Sequence, residues 1–249
     1  MISVKQLRKS FAKHLAVDGL DFTIQPGEVV GFLGPNGAGK STTMKMLTGF
    51  LPIDSGSAQI HGFDVARQSE KVQAILGYLP EGAPAYDDMT VREFLLFIAQ
   101  IRGIERVSID ASIRQVVKKL ALQTVLHKPI ESLSKGFKRR VGLAQAIIHD
   151  PAVLILDEPT DGLDPNQKYQ VRELIKQLSK DKIVIISTHI LEEVTAVCNR
   201  AIVIANGRKK FDGTAAELQN VLPNQSLDDV FRLVTSEQYT SNEVEEAQA

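Results

Sequence analysis

Residues Val29–Thr43 read VVGFLGPNGAGKSTT, and this stretch decides the fold. VVGFL is a short β-favouring run, and the segment from about Lys40 to Leu47 has helical character, with Gly49 near its end. Between them lies the spacing G-x-x-x-x-G-K-S. Gly34, Gly37 and Gly39 let the backbone turn so that successive N–H groups point inward at phosphate oxygens. The helix adds its positive N-terminal end. The whole loop, Gly34, Pro35, Asn36, Gly37, Ala38, Gly39, Lys40, Ser41 and Thr42, is therefore the expected nucleotide cradle. Lys40 is expected to reach the β- and γ-phosphates, and the Ser41 hydroxyl to ligate Mg²⁺.

Outward from this loop, ISVKQL, LDFTI and, after the helix, SAQIHGF read as further short strands, with a Gln25-Pro26-Gly27 turn before Val29. They are expected to form a small antiparallel sheet. From Thr90 to about Leu126 the pattern turns helical. Thr90 and Glu93 have capping-box spacing ahead of VREFLLFIAQIRG, and a second amphipathic helix is predicted at about Asp110–Leu122. The apolar runs Val153–Leu156, Ile183–Ile186 and Ala201–Ala205 then alternate with helical Pro165–Ser179 and Ile190–Cys198, the pattern of a parallel sheet buried on both faces. The expected fold is α/β: one P-loop NTPase domain over 1–235, with a helical insertion at about 86–145. A polar acidic tail, expected to be disordered, occupies 236–249.

The 249 residues carry 43% hydrophobic and 24% charged side chains, an ordinary balance for a soluble globular protein. A net charge of -1 disfavours nucleic acid as a partner. Cys198 is the only cysteine, so no intrachain disulfide forms, a reducing cytosol fits, and the thiol reads as an inert packing residue. The N-terminus lacks the apolar core of a signal peptide, and the greasiest stretch, Phe94–Ile101, is too short to span a bilayer. Work at a membrane would need a partner.

VLILDEPT supplies two acids at a strand end. Asp157 is placed to hold the Mg²⁺ shell; Glu158 points elsewhere and is the candidate to take a proton from an attacking water. His189 ends the strand IVIIST on the edge where open α/β sheets bind ligands, and is expected to hydrogen-bond the γ-phosphate. Asp164, Pro165 and Gln167 fit the N-cap, N1 and N3 positions of the next helix, a complete structural account of Asp164; a functional one needs a second subunit. Residues Glu131–Leu143, ESLSKGFKRRVGL, hold no base, nucleophile or ligand set, yet combine a helix start, a hydroxyl and positive charge suited to an anion. Lys138, Arg139 and Arg140 are read as a solvated helix face.

GPNGAGKS, YLPE, LSKGF, LILDEP, GLD and STH occur in the order that marks ATP-binding-cassette (ABC) ATPases, and the resemblance covers nearly the whole chain. Within that family, LSKGFKRRVGLAQAIIHDP, GLDPNQ and SLDDVFRLVT look most like ATPase subunits of ABC-2-type exporters, including the gliding-motility type. The resemblance implies ATP hydrolysis with Mg²⁺ by two nucleotide-binding subunits, identical or closely homologous, meeting head to tail. Ser134 and Gly136 of each copy would contact the ATP of the other, as would Asp164. It also implies an integral membrane permease, holding the cassette on the cytoplasmic face of the membrane and docking against the helical insertion near Glu81. A cassette that remodels ribosomes or DNA is the rival, and the paired cassettes or coiled coil usual there do not occur.

The chain departs from the family's usual LSGGQ. Lys135 replaces a glycine, which implies either a backbone angle tolerated by a side chain or strain, and Phe137 replaces glutamine. Glu81 stands where the family commonly has glutamine, near Mg²⁺, and brings charge where an amide oxygen is neutral. Phe11 matches the aromatic that stacks on adenine; packing on an edge strand is the alternative.

Overall fold

The computed structural model describes residues 1–83, 85–223 and 225–236. From residue 237 the expected acidic tail lies outside that range. The first strands, β1 (Ile2–Phe11) and β2 (His14–Ile24), form an antiparallel hairpin. Next come β3 (Val29–Leu33), α1 (Lys40–Leu47), β4 (Ser55–Ile60) and β5 (Phe63–Asp64). The antiparallel sheet expected from the sequence is present, in the order β2-β1-β4-β5. SAQIHGF is a hairpin rather than one strand: His61 and Gly62, at φ 49° and 81°, reverse the chain inside it.

The chain continues through α2 (Ser69–Ala74), β6 (Leu76–Leu79), α3 (Val91–Ile101), α4 (Arg106–Lys119) and α5 (Lys135–Ile147). The capping box of α3 forms as its spacing predicts: Glu93 N donates to Thr90 Oγ1 at 3.2 Å, and Thr90 N to Glu93 Oε2 at 2.8 Å. The second helix, α4, begins about a turn earlier than its periodicity implied. Backbones meet closely where α5 crosses β6. A Cβ built on Gly77 would lie 2.0 Å from the carbonyl oxygen of Ala146, and one on Gly142 only 2.7 Å from the side chains of Ala83 and Leu79.

The last part holds β7 (Val153–Asp157), α6 (Pro165–Leu178), β8 (Ile183–Thr188), α7 (Leu191–Val197), β9 (Arg200–Ala205), β10 (Arg208–Gly213), α8 (Ala215–Gln219) and α9 (Leu227–Thr235). The main sheet runs β10-β9-β3-β8-β7-β6. Its members are parallel except β10, which pairs antiparallel with β9. The sheet is thus mixed, because Asn206-Gly207, both at positive φ, makes a tight hairpin that the apolar pattern alone did not reveal.

Every residue of β3, β7 and β8 is buried, which is why these strands read as unbroken apolar runs. Their alternate side chains serve two cores: Leu154, Leu156, Val184 and Ile186 face the helical side, and Val153, Ile155, Ile183 and Ile185 face α1 and the antiparallel sheet. Cys198 packs against Gly31, its thiol pushed up to about 12 by burial, as an inert filler should be. Among the described residues no helix is long and apolar enough to cross a membrane. The carboxyl ends of β3, β7 and β8 come out on one edge of the sheet, where open α/β sheets bind ligands.

Candidate functional site

The loop after β3 wraps a cavity of about 440 Å³. Asn36, Gly37, Ala38, Gly39, Lys40, Ser41 and Thr42 line it, as do Phe11, Glu81 and Glu158. Gly39 caps α1 at φ 102° and supplies no capping side chain, so the first N–H groups of the helix keep their donor capacity for a ligand. Gly34 and Pro35 turn the chain at its base, where a Cβ on Gly34 would lie 2.2 Å from Ile204 O. Lys40 is buried, its Nζ donating to Gly34 O at 2.7 Å and Pro35 O at 3.0 Å. Burial lowers its pKa, while the charges of Glu158, Asp157 and Glu81 pull the other way.

Asp157 ends β7, buried, and accepts a hydrogen bond on Oδ1 from the Ser187 hydroxyl of β8. Its other oxygen, Oδ2, is buried without a partner among the described residues. An unpaired buried carboxylate oxygen is costly unless something cationic uses it. Among the described residues no group of three His, Cys, Asp or Glu is placed to hold a metal ion by itself, so a cation here would have to combine this carboxylate with hydroxyl and phosphate oxygens. A hard cation of the Mg²⁺ type fits that donor set.

Glu158 follows at φ 49°. A left-handed backbone of this kind costs a side-chain-bearing residue about 1–2 kcal/mol. Such strain clusters at functional positions. The twist directs its carboxylate into the cavity and to His189, whose Nδ1 lies 2.8 Å from Oε1. Nδ1 carries the proton there, since a carboxylate only accepts, and Nε2 is the remaining edge of an exposed ring. Behind the pair, buried Glu193 accepts hydrogen bonds from the Thr160 hydroxyl and, at 2.8 Å, from that of Thr188. Burial raises the Glu193 pKa, against the Thr188 bond. Nothing in ILEEV marked this residue in the sequence.

The cations of α5 are not a solvated face. In the run Lys138, Arg139 and Arg140 the two arginines are buried and Lys138 is half-buried, beside Asp87 at 3.4 Å. α5 is covered on nearly all sides, so it carries two guanidinium groups inward. Arg140 stacks over the Phe137 ring at 4.2 Å and donates to Leu120 O at 3.1 Å. Arg139 Nη1 donates to Pro80 O at 2.9 Å; its Nη2 donates to Glu158 O at 2.6 Å and to Asp157 O.

Ser134 is the N-cap of α5, its hydroxyl facing Phe137 N at 3.4 Å. Gly136 packs on the segment of Gly162 and Gln167, and Asp164 caps α6 by accepting from Gln167 N at 2.9 Å. Lys135, the first residue of α5, has no positive φ, so the glycine replacement brings no strain; its Nζ pairs with Asp161 at 2.8 Å, and its stem covers Gly162. Ser134, Gly136 and Asp164 thus form one neighbourhood, and none of them lines the phosphate-loop cavity.

Phe11 is exposed at the mouth of that cavity, with Lys9 Nζ 5.6 Å from its ring. On the far side of Glu81 a cleft separates the nucleotide core from the helical insertion. Its two hollows, of about 510 and 610 Å³, share Tyr78 and the 72% exposed Phe50.

Residues 17–161 match the family model described as ABC transporter. The uncharacterized ABC transporter ATP-binding protein YxlF of Bacillus subtilis is 36% identical over 237 residues, 95% of this chain and 77% of the relative. Nod factor export ATP-binding protein I of Paraburkholderia xenovorans is 37% identical over 218 residues, 87% of this chain and 72% of the relative. A solved structure described as the ATP binding subunit of an ABC transporter superposes with a TM-score of 0.87 at 28% identity, covering 95% of this chain and 100% of its own.

Proposed function

Since the chain belongs to the ABC transporter family as an ATP-binding and hydrolysing subunit, we propose that two copies close on two ATP molecules to drive a separate membrane permease. The observation that carries this reading is the separation of the two half-sites. The phosphate loop, Glu158 and Phe11 share one cavity, whereas Ser134, Gly136 and Asp164 stand together outside it. A second copy, presenting the α5 N-terminus to the first copy's ATP, completes both sites at once.

In that arrangement Lys40 and the N–H groups of the loop hold the triphosphate, and Phe11 stacks on the base. Ser134 and Gly136 of the partner copy supply a hydroxyl and an N–H to the γ-phosphate, with Asp164 beside them. Ser41 and Asp157 would hold Mg²⁺, with Glu81 as a further carboxylate lining the cavity. When bound, Mg²⁺ neutralises phosphate charge. Glu158 takes the proton of the water that attacks phosphorus, and ADP leaves with the bridging oxygen. His189, tied to Glu158 by Nδ1, orients that carboxylate, and its hydrogen bond to the γ-phosphate requires Nε2 to carry a proton as well, as in the imidazolium form. Phosphoryl transfer of this kind needs positioning and charge rather than a covalent enzyme intermediate, and the residue set provides both.

The cleft beside Glu81, with Phe50 and Tyr78, is the docking place for a permease segment, which would hold the subunit at the cytoplasmic face of the membrane. Export is the favoured direction, by likeness to the Nod factor export protein. Glu158→Gln tests the catalytic and dimeric parts together. ATP should still bind, hydrolysis should stop, and sedimentation should show a dimer only with ATP. A variant that stays monomeric with saturating ATP, or hydrolyses at the parent rate, would overturn the assignment.

A further inference from the structure

Arg139 is the least expected feature of the site. Among the described residues it is a buried cation with no carboxylate in hydrogen-bond contact and an unpartnered Nε, and three backbone carbonyls converge on its two terminal nitrogens. Those carbonyls come from two loops. Pro80 immediately precedes Glu81, and Asp157 and Glu158 are the strand-end acids themselves. The helix carrying Arg139 is the one whose N-terminus, Ser134 and Gly136, serves the other copy's nucleotide.

We propose that Arg139 is a positioning residue for hydrolysis: it clamps the Asp157–Glu158 step and the Pro80–Glu81 turn to α5 and so fixes the direction of the Glu158 carboxylate. This rests on the reading of Glu158 as the general base. The physical reason lies in the strained step. At φ 49° the Glu158 backbone persists only while its surroundings hold it. Asp161 N donates to Glu158 O at 3.1 Å, and Glu158 N to Ser187 O at 2.9 Å, but these bonds tie the step only to its own turn and to β8. Arg139 joins it to the helical insertion. Without the guanidinium, the negative ends of three carbonyl dipoles face one another across a buried gap, and the least costly relief is rotation of the Asp157–Glu158 peptide. That rotation swings the carboxylate away from His189 and the cavity. A planar guanidinium reaches both loops at once; an ammonium on a similar stem serves one.

The test compares Arg139→Gln and Arg139→Lys with the parent and with Glu158→Gln, measuring steady-state hydrolysis, ATP affinity by titration and melting temperature. Displacing a catalytic group by about 1 Å costs about 100-fold, so Arg139→Gln should lower kcat about 100-fold while ATP affinity changes by about threefold or less. Arg139→Lys should fall between, and adding either arginine change to Glu158→Gln should cost nothing beyond the loss from Glu158→Gln itself, because both act on one step. A parent-like kcat in both arginine variants overturns the proposal, as does a loss of kcat that multiplies with that of Glu158→Gln. If Arg139→Gln does not fold, the same criteria apply to Arg139→Lys alone. Parent-like hydrolysis by Glu158→Gln would instead remove the general base itself, an outcome separate from failure at Arg139.

Discussion

Replacing Lys40 by methionine separates what the lysine does for the protein from what it does for the nucleotide. The side chain is buried and makes two charge-assisted bonds, to Gly34 O and Pro35 O. Bonds of that type contribute about 1.5–3 kcal/mol each, yet burying the ammonium opposes them by a similar amount. Methionine fills nearly the same volume and leaves no charge behind, so the unfolding free energy without nucleotide should change by about 1 kcal/mol or less. The nucleotide gives the opposite result. Losing one buried cation from a triphosphate should cost about 3–5 kcal/mol, which is more than about 100-fold in Kd. At about 100 times its Kd, ATP stabilises the parent by about 2.7 kcal/mol. For a chain of this size that is a rise in Tm of about 5–10 °C. Scanning calorimetry with and without Mg-ATP should show the rise in the parent and none in Lys40→Met, whose apo Tm stays near the parent's. Unchanged ATP affinity would refute the phosphate contact. A loss of about 3 kcal/mol in the apo form would show that the lysine is a structural tie instead.

Two further outcomes follow from the geometry. Gly39→Ala combines an unfavourable φ of 102° with a Cβ 2.4 Å from Ala16 O. It should cost about 2–4 kcal/mol in denaturant unfolding, and a parent-like unfolding free energy would mean that the turn is looser than described. His149, half-buried behind β6 with Nε2 3.2 Å from Leu76 O, has its pKa lowered from 6.5 to about 4, by desolvation first and then by Arg102 and Lys182. The unfolded chain therefore takes up a proton that the folded one refuses, so this contribution is complete above pH 6.5 and is lost as pH falls toward 4. The partly exposed ring reduces it to about 1–2 kcal/mol, and urea titrations at several pH values should show a shallower acid slope in His149→Gln than in the parent.

The sequence disclosed the parts of the site that are local. The phosphate loop, the acid pair after an apolar run, the cap at Asp164 and the capping box of α3 are each written within a few consecutive residues, and each occurs where the pattern put it. Arg139 is illegible in the sequence because burial of α5 is a tertiary fact: a run of three cations looks solvated until a helix is covered on nearly every side. A hint was present in the small residues of the same helix, Gly142, Ala144 and Ala146, which allow close approach all round. Glu193 and Ser187 left no trace, since their partners Thr160, Thr188 and Asp157 belong to turns and strands that meet only in the folded sheet. The β9–β10 hairpin could have been read from Asn206-Gly207 and was hidden by the polar run RKK that follows it.

The tight crossing of α5 on β6 has a consequence for protein engineering. Where a single methyl group on residue 77 would collide with the main chain of Ala146, helix and strand have been fitted to each other like two halves of one casting. A chimera that borrows residues 134–147 from another cassette should therefore bring that cassette's 76–80 as well, or the transplanted segment will sit at the wrong height.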